Sequence, residues 1–297
     1  MIWVVVAILL YVAIQVVAVL VSIRPYRIPI FHSPGALGAP QESVEFQNPD
    51  GIMLRGWWSE TPGALDVVIL VHGYMMNRSE SAAVAHWFWK RGFSTLCIDL
   101  RAHGRSGGKR CGFGWHERAD VESAIDWVKA KVPEGRVLLW GSSMGAAACA
   151  FATLDRRGVV HGLILDSAFS RLLDAVSGWW VFVGGKWLSI FLWPTPLVAR
   201  LMLKFSPKDV DVAHALEAAG ELPILLLHGT HDTLADPSQA SRNFNVLGSR
   251  GELVWFEGCQ HAEGRWVHPE QYYAAMDKFL TDYSFLPQAS ADELQPS

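Results

Sequence analysis

Residues 141–145 read Gly-Ser-Ser-Met-Gly, a G-x-S-x-G pentapeptide between the apolar run Val137–Trp140 and a small-residue helical stretch that begins at Met144. In that setting the glycines let the chain turn sharply from strand to helix and hold the central hydroxyl, Ser143, exposed above a sheet. Ser142 is off the central position and points away from such a tip. A serine hydroxyl is a poor nucleophile until a base takes its proton, and the base needs an acid to orient it. Both are expected downstream, in the order Ser, Asp, His. The run PILLL leads into His228-Gly229-Thr230-His231-Asp232, and LVWF leads into Glu257-Gly258-Cys259-Gln260-His261. Each puts a titratable residue just past the C-terminal end of a strand, the edge where open α/β sheets hold ligands. Asp232 is therefore assigned as the acid and His261 as the base. Asp236 and Asp166 remain rivals for the first role, and His231 and His268 for the second.

An attacked carbonyl develops negative charge, which two backbone N–H groups can hold. Met144, the residue after the nucleophile, offers one at a helix N-terminus. The other is expected from the loop after VVILV, where His72-Gly73-Tyr74 stands, and Tyr74 is the candidate. Two further polar groups have a plainer reading. Asp99, Arg101, His103 and Arg105 form a loop after a strand and read as braces between loops. His228, His231 and Asp232 have metal-ligand side chains but lack the helical H-E-x-x-H arrangement. No metal and no organic cofactor is implied.

The chain must position these residues, and its composition allows it. Of 297 residues 51% are hydrophobic and 18% charged, enough to bury a large core. With 25 Lys+Arg against 29 Asp+Glu the formal charge is −4, which excludes nucleic-acid binding through a basic surface. Four cysteines, Cys97, Cys111, Cys149 and Cys259, show no CxxC spacing and suggest neither a disulfide scaffold nor a zinc knuckle. Residues 2–23 are apolar apart from Gln15 and Ser22, long enough for a helix that crosses a bilayer. A cleaved signal peptide would want a basic residue before a shorter run and a small-residue cleavage site after it; neither is present. Arg24 and Arg27 follow the span, so the positive-inside rule puts the rest of the chain in the cytoplasm.

Residues 25–41, with four prolines, read as a linker. Strand-length runs then alternate with amphipathic helices: strands at 43–47, 53–58, 67–71, 94–99, 137–140, 160–165, 224–227 and 253–256, and helices at 81–90, 117–131, from 144, 237–246 and 269–283. This alternation implies a mostly parallel sheet covered on both faces. The Trp-rich stretch from about Arg171 to Phe205 breaks it and reads as an insertion over one end of the sheet. Its indoles either pack as a helical cap or also touch an apolar substrate or the bilayer interface. The tail after Pro287 is polar and reads as frayed.

HGY at 72–74, DLRAHGRSGG at 99–108, GSSMG at 141–145, LILDSAFS at 163–170, HGTHDTLADP at 228–237 and GCQH at 258–261 together resemble the α/β-hydrolase superfamily. Within it they are similar to membrane-anchored serine hydrolases of the monoacylglycerol-lipase and serine-aminopeptidase groups. The likeness spans about residues 42–284, and Tyr74-Met75-Met76 stands where the family often has smaller residues. It implies an α/β-hydrolase fold with a helical cap insertion at about 171–210; outside it, the residues themselves give a transmembrane helix at 1–24, a linker at 25–41 and a tail at 285–297. It implies a serine esterase acting on a lipophilic acyl substrate through Ser143, His261 and Asp232, with thioesterase or peptidase activity within the family's range. The competing reading is a non-catalytic protein of the same fold that binds a lipid or a partner at the membrane.

Overall fold

The computed structural model describes residues 1–286, so the tail expected after Pro287 lies outside the described residues. The apolar runs form β1 (Glu42–Gln47), β2 (Met53–Ser59), β3 (Asp66–Val71), β4 (Ser94–Asp99), β5 (Arg136–Ser142), β6 (Val160–Asp166), β7 (Ile224–Gly229) and β8 (Gly251–Phe256). Between and around them lie α1 (Ile2–Ser22), α2 (Ala82–Trp89), α3 (Arg118–Lys131), α4 (Met144–Asp155), α5 (Leu172–Phe191), α6 (Thr195–Leu203), α7 (Val212–Ala218), α8 (Pro237–Asn245), α9 (Gly264–Val267) and α10 (Pro269–Asp282).

The strands make one sheet in the order β1-β2-β4-β3-β5-β6-β7-β8. β1 pairs antiparallel with β2, and β2 antiparallel with β4; every later pairing is parallel. The central strands are near-continuous Val, Ile and Leu because helices cover both faces, and β3 from Val67 to Val71 is wholly buried. From β3 the chain crosses to β4 on one side and later returns to β5 on the other. The strand order reverses between β3 and β5, and a crevice opens there at their C-terminal ends. The His72–Met76 loop and the Gly141–Gly145 turn leave the sheet at that switch point.

β5 runs on through Ser142, beyond the expected Trp140, so the first glycine of the pentapeptide still belongs to the strand. Two short helices were not legible as periodic patterns. α7 is started by Asp211, whose side chain accepts the His214 N–H. α9 is a single turn, too short to carry a period. Segment 25–41 is laid down on the domain. The Arg27 guanidinium donates to the carbonyls of His103, Gly104, Ser106 and Gly108, and Asn77 donates to those of Ile28 and Pro29. The last turn of α1 joins the core as well, with Val19 and Ile23 buried.

The polar loop after β4 is consumed in bracing. Asp99 accepts the Arg78 and Arg105 amides, and Arg101 is bound to Asp120 at 2.7 Å. His103 shares Nδ1–H with the Arg101 carbonyl at 2.8 Å, which leaves Nε2 to accept the Met75 N–H at 3.3 Å. Burial, helped by neighbouring His72, pulls the His103 pKa down to about 3. An unfolded histidine titrates near pH ~6.5. The stability linked to this group is therefore full above that pH and is lost as pH falls toward the folded value. Thermal unfolding of the wild type should drop between about pH 7.5 and 5, and the slope should flatten in His103→Asn.

Candidate active site

Ser143 has φ 51° and ψ −113°, a region that non-glycine residues rarely occupy and that costs about 1–3 kcal/mol. Its amide donates to the Asp166 carbonyl at 2.8 Å, which ties the turn to β6. The flanking glycines are demanded by close approach. A Cβ on Gly145 would collide with the Val71 carbonyl, and one on Gly141 would lie 2.7 Å from Ala146 Cα.

His261 Nε2 is 2.8 Å from Ser143 Oγ, and its Nδ1 is 2.7 Å from Asp232 Oδ2. The Asp232 side chain is fully buried. Its other oxygen accepts the amides of Leu234 and Ala235, at 2.9 and 2.8 Å. With Nδ1–H donated to Asp232, the Nε2 lone pair faces the serine hydroxyl. The His261 loop is fastened by the Ala262 amide, which donates to Ser167 Oγ at the end of β6.

The rival residues are engaged elsewhere. Asp166 takes Arg265 and the Tyr272 hydroxyl, and Asp236 caps α8 through the Ser238 amide. His231 meets Thr230, and His268 meets the Glu257 carbonyl. Tyr74 and Met144 line the same cavity as Ser143 and His261. A Cβ on Gly73 would sit 3.4 Å from Ser143 Cβ, so the loop after β3 passes directly beside the serine. No hydrogen bond engages the Tyr74 or Met144 amide among the described residues. The Tyr74 side chain turns away from the sheet, against Trp179, and its hydroxyl donates to the Ser22 carbonyl at 2.7 Å.

Two residues that carry no motif hold the loops together. Glu80 accepts the Gly73 amide at 2.7 Å, the Ser142 hydroxyl at 3.0 Å and Arg265 at 2.6 Å. Arg265, on α9, reaches Asp166 with its other nitrogen at 2.8 Å. Burial alone would raise the Glu80 pKa, but the charge of Arg265 and the Gly73 amide outweigh it and hold the carboxyl below its usual range. The loop after β3, the turn after β5, the end of β6 and the His261 segment thus meet on one ion-pair network. No sequence signal marks it, because its members are far apart in the chain.

Above Ser143 lies an apolar cavity of about 170 Å³, an order of magnitude more room than one water needs. α5 contributes Trp179 and Trp180, α6 contributes Pro196 and Ala199, and α1 contributes Val19 and Ser22. The indole N–H of Trp180 is buried without an acceptor among the described residues.

A mostly parallel sheet of this order, with a strand–turn–helix at its switch point, defines an α/β hydrolase. The chain belongs to the Hydrolase_4 family, described as serine aminopeptidase, S33, whose model matches residues 63–218, more than half of its length. That match ends before Asp232 and His261. Curated relatives include YqkD of Bacillus subtilis, 25% identical over 236 residues and covering 77% of this chain and 76% of that protein. YfhR of Escherichia coli K12 is 25% identical over 235 residues, covering 75% and 74%. Among solved structures, the Pyrococcus furiosus esterase Pf2001 superposes with a TM-score of 0.72 at 26% identity, over 88% of this chain and 99% of that one. A membrane phospholipase A, a bacterial virulence factor, shares the fold at a TM-score of 0.61 and 15% identity, over 81% of this chain and 87% of that one.

Replacing Arg265 by Met leaves the Glu80 and Asp166 carboxylates buried without their counter-charge. Urea unfolding should register a loss of about 3–5 kcal/mol, and a smaller one for Arg265→Lys.

Proposed function

We propose that this hydrolase cleaves a carboxylic ester with a lipophilic acyl group by nucleophilic catalysis at Ser143. The observation that carries this reading is the pair of hydrogen bonds, 2.8 and 2.7 Å, joining Ser143 to His261 and His261 to Asp232. Ser143 Oγ attacks the acyl carbonyl while His261 Nε2 takes its proton. Asp232 holds the imidazole in the required tautomer and stabilises the imidazolium. The carbonyl oxygen, now carrying the electron pair, is held by the amides of Met144 and Tyr74. When the tetrahedral centre collapses, the ester C–O bond breaks and His261 gives its proton to the departing alkoxide. The acyl group stays on Ser143. Water then attacks with His261 again as base, and the acid leaves as Ser143 Oγ recovers the proton.

The strained turn serves this chemistry by keeping Oγ clear of the backbone, and the unengaged amides need no partner to be displaced before they hold the oxyanion. The cavity's indoles and aliphatic side chains favour an apolar acyl chain over a charged peptide. No group on this route requires a metal or an organic cofactor. α1 serves in this reading as a single-pass membrane anchor. It has 21 residues, the most apolar 18 of them with a mean hydropathy of 3.0, and Arg24 and Arg27 beyond it support a cytoplasmic catalytic domain.

A fluorophosphonate probe should label the wild type and fail on Ser143→Ala; undiminished labelling would mean a different nucleophile. With p-nitrophenyl butyrate, Asp232→Asn should lower kcat by about 10⁴-fold by stranding His261 in the wrong tautomer. Equal turnover by that variant would remove Asp232 from the mechanism.

A further inference from the structure

α1 has no spare length. Its 21 residues rise about 31 Å against a hydrocarbon core about 30 Å thick. Its C-terminal part is nevertheless packed against the cap, with Gln15 and Val19 buried. Gln15 Nε2 donates to the Phe191 carbonyl at 3.1 Å, and the Tyr11 hydroxyl donates to the same carbonyl at 2.9 Å. Along the helix axis Gln15 lies about 10 Å, and Tyr11 about 16 Å, before Ser22. A carbonyl shared by these two side chains lies at the depth of the hydrocarbon when α1 spans it.

The local chemistry suits that depth. Phe191 ends α5, where carbonyls lack intrahelical partners. Lipid offers them none, so such groups must be satisfied by protein. Tyr11 and Gln15 do so for Phe191, and Thr195 Oγ1 does so for Leu192 at 2.8 Å. The Ser177 and Ser189 hydroxyls pair with each other at 3.0 Å. α5 is broken at Gly184–Gly185, where the backbone leaves helical geometry and folds the helix back so that Ser177 and Ser189 can meet. α5 and α6 then join at a bend of 98°, so the segment does not run on as one straight span. Their outer surface is apolar, with Trp187, Trp193 and Leu201 exposed by 84%, 68% and 83%. The two cations of α5 and α6 are Lys186 and Arg200, side chains whose long apolar stems let a charged head snorkel away from hydrocarbon. The inner surface of the same helices roofs the cavity over Ser143, and Val19 of α1 closes its side.

We propose that α5 and α6 form a re-entrant hairpin embedded in the leaflet that holds the C-terminal half of α1, and that the cavity above Ser143 opens into that leaflet. The acyl ester then reaches the serine from the bilayer without crossing water. This rests on the hydrolase and anchor readings above.

The test uses the full chain in phosphatidylcholine vesicles, with the environment-sensitive dye NBD on single engineered cysteines; the four native cysteines are buried. Labels at Trp193→Cys and Leu201→Cys report the hairpin, Leu9→Cys reports α1, and Glu134→Cys reports the far side of the domain. Doxyl-labelled lipid should quench the first three, and aqueous iodide only the fourth. Hairpin labels quenched by iodide, with Leu9→Cys still quenched by doxyl lipid, would overturn the re-entrant hairpin and leave the anchor standing. Iodide quenching at all four would overturn both. In a second arm, Trp193→Glu with Leu201→Glu should slow cleavage of 4-methylumbelliferyl palmitate carried in vesicles about tenfold. The same variant should cleave soluble p-nitrophenyl acetate at the wild-type rate. An unchanged rate on the vesicle substrate would overturn the lateral route.

Discussion

Ser143 is held at a positive φ by the close approach of α4 to the ends of β3 and β5, and every other feature of the site is arranged around that strain. The Gly145 position presses against the Val71 carbonyl, so α4 can begin only where no side chain intervenes. Once the chain turns there, the serine hydroxyl and the Met144 amide face the same crevice, because one is the last residue before the helix and the other is its first turn. A relaxed backbone at residue 143 would separate them. The strain is tolerated because the fully buried central strands and α4 leave the turn nowhere to relax.

The loops that meet over this turn come from distant parts of the chain, and a buried electrostatic network keeps them in register. Glu80 binds the loop after β3 and the turn after β5, and Arg265 bridges Glu80 to the end of β6. A buried ion pair seldom adds stability over a well-packed apolar core, but it imposes direction and partner choice that packing does not. Here the direction is useful. Arg265 sits four residues beyond His261, so the position of the imidazole is referenced to the same carboxylates that fix the loop beside Ser143.

The cap and α1 add a second level of coupling. Tyr74 is part of the loop beside the serine, yet its ring packs on Trp179 of α5 and its hydroxyl reaches the Ser22 carbonyl at the end of α1. Arg27 then hooks the following segment onto the loop after β4. The helix that leads into the domain and the cavity above the serine are therefore one packed structure, with no flexible tether between them.

The order of strands and helices was readable because apolar runs of strand length alternate with longer amphipathic ones, and periodicity is a local property. Ser143, Asp232 and His261 could be proposed for the same reason: each lies within a few residues of the end of an apolar run, at the edge where strands end. The pentapeptide marked the turn through its glycines. Glu80 and Arg265 were not readable, because an ion pair between residues far apart in sequence exists only when the fold closes. The lie of segment 25–41 on the domain was hidden too, since prolines announce an irregular path but not where it rests. Only the tertiary structure shows which of the polar groups meet: His261 lies on Asp232, while Arg265 occupies Asp166. It alone seated Gln15 against Phe191. Local sequence sets what each segment can be, whereas which polar groups find one another depends on distances that only the packed chain defines.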